Sequence, residues 1–82
     1  MSWNVTLNNE AGIFDSRDGF DTLREAIEWS LGRGPRYNIQ IDEGSYPGLH
    51  LCVTGGKLML ERGYGDWTPV SVDSLCKRYE RS

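Results

Sequence analysis

The 82-residue chain has one histidine, His50, so a catalytic or metal centre would have to manage without a second imidazole. It has two cysteines, Cys52 and Cys76, too few for the several bridges that hold together a small secreted domain. Free thiols in a cytosol are the expectation. The nearest thing to an apolar run is Leu49-His50-Leu51-Cys52-Val53, far short of the roughly 20 residues a spanning helix needs. Met1-Ser2-Trp3-Asn4-Val5 has neither the basic nor the apolar region of a signal peptide. The expected location is therefore cytoplasmic, with no membrane contact. There is no cationic surplus, because nine Lys and Arg stand against twelve Asp and Glu, a net charge of −3. That balance argues against a dedicated binder of duplex nucleic acid. CxxC and HxxxH spacings are missing, as are GxGxxG and GxxxxGK[ST] loops, so no metal, nucleotide or other cofactor is expected.

The patterning that is present predicts a single α+β domain over residues 1–82. Trp3, Val5 and Leu7 alternate with Asn4, Thr6 and Asn8 as a half-buried strand does. Asn8 to Gly12 is a turn, and Ile13-Phe14 starts a short return strand that Asp18-Gly19 should break. Thr22-Leu23-Arg24-Glu25 has capping-box spacing, and Phe20, Leu23, Ala26, Ile27 and Leu31 form one helical stripe. Gly32 is placed to end that helix in a left-handed conformation.

The second half reads as a β-meander. Tyr37, Ile39 and Ile41 alternate with Asn38, Gln40 and Asp42, and Leu49, Leu51 and Val53 with His50, Cys52 and Thr54. Gly55-Gly56 fits a type I′ turn. Pairing Thr54 with Lys57 then puts Val53 opposite Leu58 and Leu51 opposite Leu60 on one face. The same register sets Cys52 against Met59 and His50 against Glu61 on the other. Trp67 to Val72 supplies a last strand, confined to an edge by Pro69, and Asp73 is the expected cap of a short C-terminal helix. The expected architecture is an antiparallel sheet, built from an N-terminal hairpin and the meander. The central helix packs on its apolar face, and the strand order stays open.

No arrangement of residues requires catalysis. His50 beside Glu61 has the form of an oriented base, but it reads as a cross-strand ion pair on a solvated face. Asp42-Glu43 and Glu25/Glu28 are paired carboxylates of the kind common on surfaces. The uneven charge is more informative, because residues 10–31 hold six acids against two bases. The acidic helix face of Asp21, Glu25 and Glu28 is thus a candidate site for a basic partner. Trp29 projects away from the apolar stripe and would be its anchor, unless it stacks on Arg33 or is covered by the C-terminal segment. Tyr46 and Tyr64, on the meander loops, are further candidate contacts. Trp67 is expected to close the core. The Cys52–Met59 pair forms an apolar island that the C-terminal helix would cover, or else leave open.

The stretch Phe20 to Trp67, with Asp21-Thr22-Leu23-Arg24-Glu25-Ala26-Ile27, Leu49-His50-Leu51-Cys52-Val53, Gly-Gly and Lys57-Leu58-Met59-Leu60, resembles small immunity proteins of bacterial toxin systems. Phage-encoded inhibitors of host defence, including anti-CRISPR proteins, are similar in size and acidity. Both resemblances imply a non-enzymatic inhibitor or adaptor whose acidic surface occludes the basic working site of a larger protein, a toxin or a nucleic-acid-handling defence complex. The alternative expectation is a single-strand nucleic-acid-binding module using aromatic loops with Arg33 and Arg36. Dimerisation through an open sheet edge is a third reading.

Overall fold

The computed structural model describes residues 2–43, 46–63 and 65–79; the side chains of Tyr46 and Pro47 are outside that description. The chain runs β1 (Trp3–Asn9), β2 (Gly12–Phe20), α1 (Leu23–Ser30), β3 (Arg36–Glu43), β4 (Tyr46–Thr54), β5 (Lys57–Gly63), β6 (Asp66–Pro69) and α2 (Val72–Tyr79). The six strands form one sheet in the order β2-β1-β3-β4-β5-β6, with every neighbouring pair antiparallel. The α+β class expected from the sequence is the observed one.

Alternation decides which face is covered. Val5, Leu7, Ile39, Ile41 and Leu51 are all at most 1% exposed and point to the same side, where α1 contributes Leu23, Ala26 and Ile27 and α2 contributes Leu75 and Cys76. Each such aliphatic side chain gains about 1.5–3 kcal/mol from burial. A one-residue slip would turn the whole set outward, so the register is firmly held. Gly55 (φ +58°) and Gly56 (φ +78°) adopt the left-handed turn expected, and the β4–β5 register follows it pair by pair.

Local signals also fix the ends of the helices. The Thr22 hydroxyl accepts from the Glu25 amide at 3.1 Å, and Gly32 follows the helix with φ +69°. Tyr37, buried under the sheet's apolar side, donates its phenol proton to the Ser30 carbonyl at 2.6 Å, which satisfies a carbonyl at the end of α1. In α2 the cap is Ser71, not Asp73. The Ser71 hydroxyl accepts from the Ser74 amide at 3.1 Å, and the Ser74 hydroxyl accepts from the Ser71 amide at 3.1 Å. Asp73 instead sits in the first turn, where its charge suits the positive end of the helix.

Two expectations about strands need correction. β2 is nine residues long and runs through Asp18-Gly19 to Phe20. Gly19 (φ +86°) absorbs an irregularity opposite Asn4, whose amide oxygen accepts the Gly19 N–H at 3.2 Å, so the ladder bends there instead of ending. The last strand is shorter than expected, Asp66–Pro69, and Val70 is tied to the Leu58 carbonyl at 3.0 Å. Gly48 is required for a different reason. A Cβ there would overlap the Ile41 carbonyl, and the Gly48 amide donates to Asp42 Oδ1 at 3.1 Å.

Candidate functional site

α1 presents Glu25 and Glu28 to solvent, and Asp21, just ahead of the Thr22 cap, is exposed beside its start, as the sequence led one to expect. Leu23, Ala26, Ile27 and Ser30 take the buried side, so Glu25 and Glu28, three residues apart, are neighbours on the opposite surface. The cations nearest in sequence are engaged elsewhere. Arg24 reaches across to Asp73 of α2 at 2.6 Å, a hydrogen bond that raises the guanidinium pKa above its usual value, with desolvation opposing. Arg33 pairs with Asp15 at 3.6 Å and donates from Nε to the Trp29 carbonyl at 3.0 Å. Among the described residues, Asp18, Asp21, Glu25 and Glu28 have no ion-pair partner, and the Arg24 guanidinium acts on Glu28 only through a longer-range attraction, so the face keeps an excess of exposed carboxylates.

Trp29 does not project outward as an uncovered anchor. Its ring lies 5.6 Å from that of Phe20 and directly beneath the Arg33 guanidinium, 4.3 Å from the ring centroid. It is half-buried and packs against the core. On a helical wheel it stands at the boundary of the stripe, and Phe20 extends the core to meet it there. The Arg33 stack, one of the arrangements weighed from the sequence, is the one adopted. Tyr46, expected on a loop, is the first residue of β4, where its backbone pairs with Glu43; its side chain and Tyr64 lie outside the described residues.

Trp67 is on the side of the sheet away from the helices. It pairs with Glu61 in the β5–β6 register and is 38% exposed, so it does not close the core. β6 is an edge strand whose alternation carries no apolar signal. A register shift between Glu61 and Gly63 sets Trp67 against Glu61 on the polar face, whereas a regular ladder from the Gly63–Asp66 pair would have set it against Arg62; the turn alone therefore carries no signal for its side. The Cys52–Met59 island is likewise not covered by α2, because Leu75 and Cys76 pack into the core on the other side. No disulfide joins Cys52 and Cys76. His50 Nδ1 lies 3.5 Å from Glu61 Oε1, an exposed cross-strand contact as expected.

Among the described residues, the large apolar side chains exposed to solvent are Ile13, Phe14 and Trp67. Ile13 and Phe14 belong to edge strand β2, where no alternation marks a buried face, and Phe14 meets Tyr37 edge-on at 6.0 Å. Two register irregularities and the charges of Asp15, Arg17 and Asp18 leave β2 little flat, uncharged edge for pairing with another strand. Among the described residues, no group of three or more His, Cys, Asp or Glu is placed to hold a metal ion, and no helix is long and apolar enough to cross a membrane. No family model, curated protein or solved structure matches the chain.

Proposed function

We propose that this protein is a non-enzymatic binding domain that docks the carboxylates of α1 onto a basic surface of a larger protein, in the manner of an immunity-type or anti-defence inhibitor. The observation that carries this reading is selective neutralisation. Arg24 and Arg33 are drawn to Asp73 and Asp15, while Asp21, Glu25 and Glu28 stay exposed without an ion-pair partner among the described residues. Such a surface speeds encounter with a cationic partner and repels an anionic one. Trp29 contributes as the partly covered rim of the site, with its ring held in place by Arg33.

The test is crosslinked capture from an extract of the source cells with three forms of the protein side by side. They are the natural sequence, Asp21→Lys/Glu25→Lys/Glu28→Lys, and Lys57→Glu on the opposite face. The expected result is a basic protein retained by the first and third forms and lost by the triple variant. Retention by the triple variant of whatever the natural sequence captures would overturn the reading.

A further inference from the structure

The strand registers arrange the uncovered sheet face in rows that cross the strands. At one end, Arg36 of β3, Thr54 of β4 and Lys57 of β5 lie side by side. The next row is Asn8, Asn38, Cys52, Met59 and Pro69, and the third is Thr6, Gln40, His50, Glu61 and Trp67. Charge therefore changes sign along the face. The first row holds two exposed cations with no ion-pair partner among the described residues, and Glu61 of the third row is turned to His50.

A groove runs between these rows, lined by Arg36, Asn38, Cys52, Lys57, Met59 and Trp67, and no carboxylate lines it. Its parts are chemically distinct. The indole offers a flat aromatic face, Met59 and Cys52 offer a polarizable floor, and the Asn38 amide can both donate and accept. Arg36 and Lys57 stand two strands apart, about 9.5 Å at ordinary strand spacing. A flat ring against an indole with negative charge at the neighbouring cations is the combination by which unpaired nucleotides are held. A duplex keeps its bases stacked inside and would bring only phosphates to this face.

We propose that the open sheet face binds a short stretch of single-stranded nucleic acid, with a base against Trp67 and phosphates at Arg36 and Lys57. The site lies on the side of the sheet opposite α1 and does not depend on the α1 carboxylates. With two cations, the contact is small and the salt dependence is correspondingly shallow. At about −0.7 per phosphate for single strands, two phosphates give a slope near −1.4, or about a sevenfold loss of affinity between 50 and 200 mM salt.

The experiment is anisotropy titration of a labelled single strand of about 12 nucleotides, in DNA and RNA forms, with a nucleoside monophosphate and a duplex of the same sequence as competitors. Expected are binding of the strand with that salt slope, about a tenfold or greater loss in Arg36→Glu/Lys57→Glu and in Trp67→Ala, and retention in Trp67→Phe and Glu25→Gln. A thermal melt accompanies each variant. Trp67→Phe keeps the ring, so the stacking claim remains testable if Trp67→Ala folds poorly. Failure of both forms of the strand to bind at the lower salt would overturn the proposal, as would equal competition by the duplex. A monophosphate that binds as tightly as the strand would assign the groove to free nucleotides and overturn it too. So would a dimer in sedimentation that Arg36→Glu/Lys57→Glu dissolves, since the face would then belong to a second copy.

Discussion

Leu51 and His50 are consecutive in β4, yet one is fully buried beneath the helices and the other lies on the open face, its side chain 56% exposed. The two faces of the sheet differ in the same way throughout. One is aliphatic, covered and bordered outside by exposed carboxylates on α1, and the other is amide-rich, uncovered and cationic at one end. The covered face holds the fold together, while the outer surface of α1 and the open sheet face are the two surfaces proposed for binding. A polar face on an antiparallel sheet is tolerated because its side chains stay hydrated, so their identity is available for recognition instead of packing.

The largest effect that would break this comparison is at its sharpest contrast. Leu51→Ala should cost about 2–5 kcal/mol in chemical denaturation, whereas His50→Ala should stay within about 0.5 kcal/mol. Equal losses would mean that the open face is packed after all. Next comes Trp29, which belongs to the covered side. Trp29→Ala should lower stability by about 2 kcal/mol, below the about 3–5 kcal/mol of a fully buried ring. A melting curve unchanged by that substitution would return the indole to solvent. The smallest is the cap of α2. Ser71→Ala should cost about 1 kcal/mol, and Asp73→Ala less, because the Arg24–Asp73 pair is exposed and screened by salt. The reverse order would restore Asp73 as the cap.

What was legible in the sequence was local. Thr22 three residues ahead of Glu25 specified a cap, and two adjacent glycines specified a turn whose geometry carried the β4–β5 register with it. Alternation in β1, β3 and β4 chose the buried face before any partner was known. What escaped depended on contacts between distant elements. Trp29 sits at the edge of its helical stripe, and only the approach of Phe20 and Arg33 decides whether the ring is wet. The end of β2 turned on Gly19, which reads as a breaker in isolation and becomes a bulge once Asn4 accepts its amide proton. Asp73 and Ser71 both suit a cap; the helix starts at Val72, which makes Ser71 the cap and leaves Asp73 in the first turn, paired with Arg24 49 positions away. The α1 carboxylates were legible as a charge excess. That their neighbouring arginines are engaged elsewhere required the fold.

The central claim is that the carboxylates of α1 form the protein-docking surface. It is tested most directly by mapping amide chemical shifts of the isotope-labelled protein as the captured basic partner is added. The account predicts that the perturbed signals cluster on Asp21, Glu25, Glu28 and the adjoining Trp29, while those of Arg36, Lys57 and Met59 stay in place. Perturbations confined to the open sheet face, with the α1 signals unmoved, would contradict it.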